Sequence, residues 1–442
     1  MNALFPSEKT QADYWKICHR LLSHAQVCIA WGEQWHSDVA DRVTLMCHVL
    51  NYLVNRGDLT EAELLAQRIL LLGEQTLGSE HILIAEALKG LAGISFQQGK
   101  YEQAQLLCQR VLNIEEQVLG PEDARVAGSL NNLAILSAEQ GKYEEAVPLF
   151  QRALHIWEHT LGPMRPRVTT ALHNLGACYL DLGQYEEAES IFLRVLHVEE
   201  QILGPGEPDI AFPLTNLGTI SREQGKYAAA ESFYLRALCI REKALGQKHH
   251  LLAEPLTGLA TISREQGKYE DAELLYQRAL QVWEQTQGAE HPLLAESLTG
   301  LATLYRYQGK YQEAETLYQR ALSIQELVWG SEHFLLAEPL QGLAHLLTEQ
   351  GAYEQAKSLY LRALTLRQQR AGAQHPHVAA SLYDLAHFYQ RQQQTAETLS
   401  LYQQALLICE RTFGPEHART QEIRADYVQL LQDLGQTDPQ NI

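Results

Sequence analysis

The sequence contains no run of 18 or more apolar residues, so no transmembrane helix is expected. Residues Met1 to Asp13 hold no basic-then-apolar pattern, and nothing there reads as a secretory signal. The seven cysteines (Cys18, Cys28, Cys47, Cys108, Cys178, Cys239, Cys409) are odd in number and form no CxxC pair. Most fall in apolar helical slots, which points to reduced thiols in cytoplasm rather than a disulfide framework. Proline is scarce at 14 residues, and no Ser/Thr/Gly-rich tract offers a flexible linker, although 442 residues alone would suggest about three domains. Basic charge is in deficit, with 35 Lys and Arg against 54 Asp and Glu, a formal net charge of −19. That field repels phosphate and argues against nucleic acid or an anionic membrane as the main partner. A phosphate-binding loop requires G-x-x-x-x-G-K-[ST], whereas the Gly-Lys pairs here run into tyrosine, as in Gly267-Lys268-Tyr269. No G-x-S-x-G elbow occurs. The expectation is a soluble, acidic, cytoplasmic protein that is not an enzyme and needs no cofactor.

What is present is repetition. Gly57, Gly99, Gly141, Gly183, Gly225, Gly267, Gly309, Gly351 and Gly435 fall on one 42-residue lattice, with Gln393 the gap. A second lattice holds Gly78, Gly120, Gly162, Gly204, Gly246, Gly288, Gly330, Gly372 and Gly414. Glycine after an apolar-periodic run stops a helix, because the chain there turns through positive φ. Each unit therefore holds a shorter helix A and a longer helix B. Apolar steps of three and four, as in Tyr269-Ala272-Tyr276-Ala279-Leu280, confirm the helical period. One helix A slot is always small (Ala134, Gly176, Gly218, Ala260, Ala302), and so is one helix B slot (Ala146, Ala188, Ala230, Ala272, Ala314). Between them a third slot carries Phe150, Phe192, Tyr234, Tyr276, Tyr318, Tyr360 and Tyr402. Pro213, Pro255 and Pro339 share an early helix A slot and are tolerated only in a first turn, so helix A should start no earlier than about Ala211, Leu252 and Leu336.

Leu130-Asn131-Asn132-Leu133-Ala134, the turn Gly141-Lys142-Tyr143 and the phrase Gly288-Ala289-Glu290-His291-Pro292 resemble the tetratricopeptide (TPR) family. The long repeat is most similar to the kinesin light chain subtype, against a usual family period of about 34. The resemblance covers residues from about 38 to 435 and implies an all-α fold. The form implied is an α-solenoid, a right-handed superhelix of about nine helix pairs between N- and C-terminal capping helices. The expected organisation is a capping segment over 1–37, a repeat array over 38–416, a capping helix over 417–435 and a tail over 436–442. Arg424 replaces the leucine of earlier repeats (Leu298, Leu340, Leu382), as suits a last helix that no further repeat covers. Trp15, Cys18, Leu22, Ala25 and Ile29 form the stripe of the first cap.

Six histidines (His81, His249, His291, His333, His375, His417) recur in the loop before helix A. They lie one repeat apart and cannot share one metal ion at ligand distances near 2 Å, so a structural role is expected and no metal site. The remaining candidate is the concave face, which helix A lines in TPR proteins. Its slots read Glu254, Glu296 and Glu338; Thr219, Thr261 and Thr303; and Arg222, Arg264 and Arg306. The arginines either present stacked guanidinium forks to an extended acidic ligand or pair with neighbours such as Glu223 and Glu265 as a solvated ladder. Asn132, Asn174 and Asn216 fill a slot where kinesin light chains use asparagine to hold a peptide backbone, while Gly258, Gly300 and Gly342 replace it later. His345, His387 and Tyr383 continue the face with a different chemistry.

The segment Phe5-Pro6, Trp15, Cys18, Leu21-Leu22-Ser23-His24-Ala25, Cys28 and Trp31 resembles the helical piece that precedes TPR arrays in bacterial NB-ARC (STAND) signalling NTPases. That resemblance implies a sensor array that captures a protein or extended peptide and has a nucleotide switch upstream as partner. A freestanding cytoplasmic adaptor is the alternative, and an enzyme the distant one.

Overall fold

The computed structural model describes residues 12–34 and 38–434, with the side chains of residues 12–18, 32–34, 370 and 371 left out. Among the described residues there are twenty α-helices and no strand. Helix α1 (Ala12–Gln34) comes first, then the pairs α2 (Val39–Arg56) and α3 (Leu59–Thr76), α4 (Ile82–Gln97) and α5 (Tyr101–Leu119), and α6 (Ala124–Glu139) and α7 (Tyr143–Leu161). There follow α8 (Pro166–Asp181) and α9 (Tyr185–Ile202), α10 (Ala211–Glu223) and α11 (Tyr227–Leu245), and α12 (Ala253–Glu265) and α13 (Tyr269–Gln287). The last pairs are α14 (Leu294–Tyr307) and α15 (Tyr311–Trp329), α16 (Ala337–Glu349) and α17 (Tyr353–Ala371), and α18 (Pro376–Arg391) and α19 (Thr395–Phe413), before α20 (Ala418–Asp433). Partners such as α4 and α5, or α12 and α13, pack on each other and then on the following pair. This is the expected α-solenoid construction.

The punctuation is where the residues put it. The glycines that end helix A have φ between 70° and 88°, and Gln393, which fills the gap in their lattice, adopts φ 59°. A β-carbon in the left-handed region costs roughly 1–2 kcal/mol. Gln393→Gly is therefore expected to raise the stability of the α18–α19 pair by about 1 kcal/mol, measured by hydrogen exchange of its amides; unchanged protection would mean the turn relaxes around glutamine. Helices α10, α12 and α16 begin at Ala211, Ala253 and Ala337, each preceded by one 3-10 turn (Pro208–Ile210, His250–Leu252, Phe334–Leu336). Each places its proline in the first turn, where the missing amide has no helical acceptor.

The recurrent histidine caps the helix. Nδ1 of His81, His249, His291, His333, His375 and His417 accepts the backbone N–H two residues on, at 3.1–3.4 Å. Asp123 does the same with a carboxylate oxygen for Arg125, at 2.9 Å. Capping satisfies one of the free amides at a helix start and is worth typically about 1 kcal/mol. Among the described residues no group of three His, Cys, Asp or Glu is placed to hold a metal ion.

The small slots are the close contacts. Ala134, Ala260 and Ala302 on the A helices, and Ala146, Ala230, Ala272 and Ala314 on the B helices, are fully buried, with Phe150, Phe192, Tyr234, Tyr276 and Tyr318 beside them. On the B helices Arg110, Arg152, Arg278, Arg320 and Arg362 reach back to Glu74, Glu116, Glu242, Glu284 and Glu326 of the preceding repeat. These rungs are half exposed and contribute below about 1 kcal/mol each.

The chain forms two compact units, residues 1–175 and 176–442, with the boundary inside α8 rather than at a linker. Within the second unit, residues of its first and last repeats touch: Tyr185 stacks on Phe413 at 5.7 Å. In the first unit Ala25 and Ile29 of α1 are buried against Val43, Met46 and Leu50, with Leu22 partly buried beside them. The side chains of Trp15 and Cys18, together with Phe5, Pro6, Gly435 and the tail, lie outside the described residues. At the other end Arg424 pairs with Glu410 at 2.6 Å, and Ile423 is the buried contact of α20. No helix of the described residues is long and apolar enough to cross a membrane.

Candidate functional site

In the second unit, side chains of successive A helices lie within electrostatic reach of one another. Glu254 near the start of α12, Glu296 of α14 and Glu338 of α16 are all exposed. Crowding raises the carboxyl of Glu296 to about 7 through desolvation, then repulsion by Glu338 and Glu254, against the attraction of Arg222. Desolvation also raises Glu254, although Arg241 opposes it. Acids and bases from α10, α12, α14 and α16 therefore act on one another across the same space.

The arginines of this face have partners. Arg222 reaches Glu223 at 2.8 Å and Arg264 reaches Glu265 at 3.7 Å, while Arg306 crosses to Glu349 on the next A helix. The guanidinium of Arg306 also lies 4.5 Å from the centre of the Tyr307 ring. Desolvation would lower Arg222, but Glu223, Tyr234, Glu265 and Glu296 outweigh it and keep the guanidinium charged.

The threonines are committed to packing. The hydroxyls of Thr219, Thr261 and Thr303 donate to the backbone carbonyl four residues back. Each then accepts the phenolic O–H of Tyr234, Tyr276 or Tyr318, at 2.8–2.9 Å. The same tyrosine rings explain the glycines of the next A helix. A β-carbon at Gly258, Gly300 or Gly342 would lie 2.3–2.4 Å from the ring of Tyr234, Tyr276 or Tyr318. Where the ring is Phe192 there is no hydroxyl to bind, the threonine slot holds Ala177, and the glycine slot holds Asn216. Asn216 is half buried and its amide nitrogen donates to the Phe212 carbonyl at 3.1 Å. In the first unit Asn132 is exposed and Asn174 is half buried. The change from Asn216 to Gly258, Gly300 and Gly342 thus accompanies the change from Phe192 to Tyr234, Tyr276 and Tyr318.

Further along, the glycine slot becomes Asp384 and then Asp426. Tyr360 donates to Nδ1 of His345 at 2.8 Å, and Nε2 of His345 faces Asp384 at 3.3 Å. Tyr402, His387 and Asp426 repeat the chain at 3.2 Å and 3.3 Å, and Tyr383 donates to Asp426 at 2.6 Å. A Tyr-His-Asp chain would suit a nucleophile only if the phenol were acidified. Burial instead pushes Tyr360, Tyr402 and Tyr383 well above the ordinary tyrosine value, so their protons are held.

Sequence reasoning missed Arg241 and Arg367, which come from the B helices. Arg241 is fully buried; its Nη1 donates to the Leu251 carbonyl at 2.6 Å, and it faces Glu254 at 3.6 Å and the Phe212 ring at 4.9 Å. Arg367 donates to Gln341, to Ser381 and to the His377 carbonyl. The available signal was a charge in a slot that holds Trp157 and Trp283 in other repeats.

Models of the tetratricopeptide repeat match residues 84–159, 125–201, 167–243, 209–282, 251–327 and 377–439, and a second such model matches 51–83 and 340–377. The chain belongs to the tetratricopeptide repeat family. No curated protein sequence is similar enough to this TPR chain to count as a match. Among solved structures, the apo form of the quorum sensor NprR from B. thuringiensis is 16% identical, covers 79% of this chain and 93% of its own, and has a TM-score of 0.59. A Rap protein complexed with Competence and Sporulation Factor is 13% identical over 88% of this chain and 99% of its own, with a TM-score of 0.54. A putative kinesin light chain of Podosopora anserina with nearly identical TPR-like repeats is 25% identical over 48% of this chain and 98% of its own, at a TM-score of 0.39. At these identities the NprR and Rap likenesses speak for the TPR fold alone.

Proposed function

We propose that this TPR protein binds an extended peptide or protein segment along its concave face and performs no chemistry itself. The observation that carries the reading is the column of Glu254, Glu296 and Glu338. Three carboxylates one repeat apart are exposed to water in the same interior that Arg222 faces. An extended chain matches such a repeat because its side chains can meet successive rungs, while Asn132, Asn174 and Asn216 offer both donor and acceptor to its backbone. The Rap structure, a TPR-like fold complexed with Competence and Sporulation Factor, is consistent with this use of the architecture.

The test is a peptide-display selection against the full chain, followed by binding to a E254Q, E296Q, E338Q triple variant. Peptides whose lysines or arginines meet the column are expected to lose at least about tenfold in affinity, roughly 1.4 kcal/mol, with helicity unchanged. Because Glu296 ionises near pH 7, their affinity should rise between pH 6 and pH 8, and E296Q should flatten that rise. Failure to recover any sequence family from the selection would refute the reading. In its wider form the array is the sensor of a STAND-type regulator, a setting supported by the resemblance of the segment from Phe5 to Trp31. A freestanding adaptor would use the same face. A P-loop encoded upstream would decide for the regulator.

A further inference from the structure

The contact between the first and last repeats of the second unit has a chemistry of its own. On one side stand the end of α8, the turn at Gly183, Tyr185 at the start of α9, and Glu223 and Gln224 at the end of α10. On the other stand His375, Pro376 and His377 entering α18, Phe413 ending α19, and His417 and Arg419 entering α20. Helices α11 to α17 separate the two sides in sequence. Tyr185 and Phe413 stack with their planes 8° apart, and Tyr185 is buried. Pro376 sits so close to Gly183 that a β-carbon there would lie 2.5 Å from the proline ring. At Gly225, Gly267 and Gly309, the same turn in later repeats, that position opens onto free space.

The two histidine caps of the last repeats are used twice. Nδ1 of His375 and of His417 accepts the N–H of His377 and of Arg419, so each ring carries its proton on Nε2. The His375 ring lies against the backbone of Asp181 and the His417 ring against that of Gln224, with Nε2 of each buried and without a hydrogen-bond partner. Asp181 and Gln224 close α8 and α10, where helix carbonyls lack internal partners. Each imidazole thus caps the start of its own helix and packs against the end of another from the far side of the unit.

We infer that this seam is a latch: it shuts residues 176–442 into a closed ring, and access of an extended chain to the interior requires the seam to part. The inference rests on the concave-face reading for what enters, but closure itself does not. A closed ring with one non-covalent seam gives the array two states from a single small contact, which is what a gate needs.

The groups around the histidines set how the latch answers to pH. His375 meets the Asp181 backbone from α8, Arg367 from α17 and Glu223 from α10; His377 meets Glu223, His375, Arg367 and Arg419. Desolvation, with Arg367 adding to it, holds His375 down to about 4. Glu223 stays ionised because Arg222, His377 and Arg419 together outweigh its desolvation. A histidine whose value is depressed in the closed state favours closure fully above its free value of about 6.5 and loses that contribution as pH falls toward 4. The latch is therefore shut at neutral pH and loosens on acidification.

The experiment measures the distance between spin labels at K226C and E416C in the full chain, with Cys28 and Cys239 changed to serine. Lys226 and Glu416 are exposed residues close in sequence to Gln224 and His417. At pH 7.5 the expected result is one narrow distance distribution. Y185A with F413A should broaden and lengthen it at unchanged helicity, as should acidification of the parent from pH 6.5 to pH 4. H249A, which removes the same helix cap outside the seam, should leave it narrow. A broad distribution in the parent at pH 7.5, or a narrow one retained in the helical double variant, would overturn the latch. No ligand enters the measurement, so it stands whatever the display selection returns.

Discussion

Gly300→Asn is expected to destabilise α13 and α14 by about 2–4 kcal/mol, combining an overpacked contact with a lost hydrogen bond. The β-carbon would fall 2.4–2.6 Å from Cε1, Cζ and the hydroxyl of Tyr276, so the ring must leave its place. Leaving it breaks the 2.9 Å bond to Thr261 and exposes a side chain that is now fully buried. An asparagine in this slot is nevertheless stable two repeats earlier, at Asn216, where the ring is Phe192, the hydroxyl slot is Ala177 and the small slot is Gly176. Copying that neighbourhood as A260G, T261A, Y276F and G300N should recover more than half of the loss, because the four positions share one contact and are not additive. A repeat array need not unfold in one step, so the readout is hydrogen exchange of α13 and α14 rather than a single melting temperature. If G300N alone is neutral, the tyrosine does not occupy the slot in solution, and the packing account of the asparagine-to-glycine change fails.

That account shows where the sequence was readable and where it was not. The period exposed every helix pair, since a stop glycine needs no tertiary context: Gly57, Gly99 and Gly267 each adopt the left-handed turn. Proline placed α10 at Ala211, and α12 and α16 one residue beyond the earliest expected start. The six histidines were legible as structural but not as caps, because Nδ1 as an acceptor leaves no trace beyond position. The face was harder. Its slots read in sequence as a column of Glu254, Glu296 and Glu338 one repeat apart, yet the reason the asparagines stop at Asn216 lies in a correlated change across three slots. Phe192, Ala177 and Asn216 give way together to Tyr234, Thr219 and Gly258. Reading slots one at a time conceals it. The seam was not legible at all: Gly183 and Tyr185 look like any other turn, and nothing periodic links them to Pro376 or Phe413. Contacts between distant repeats depend on the accumulated rotation of every pair between them, which no local pattern encodes.

Replacing Arg222, Arg264 and Arg306 together with alanine should separate the two roles open to that ladder. Arg264 pairs loosely with its sequence neighbour Glu265, at 3.7 Å, and its loss is expected to change stability by less than about 1 kcal/mol. Arg306 spans from α14 to Glu349 on α16 and stacks on Tyr307, with its side chain only 10% exposed, so its loss should cost about 1–3 kcal/mol, partly by leaving Glu349 unpaired. Arg222 holds Glu223 ionised beside the seam, so its loss should also shift the label distances toward the open state. Binding is read separately, by fluorescence anisotropy of labelled acidic peptides from the display selection, in the triple variant and in R264A alone. Affinity should fall at least about tenfold in the triple variant, and its remaining binding should depend less on salt, because each lost guanidinium removes a screened attraction. R264A should account for a measurable share of that fall at almost no cost in stability. Unchanged affinity in both variants would make the ladder a set of internal ion pairs, leaving the carboxylate column to carry recognition.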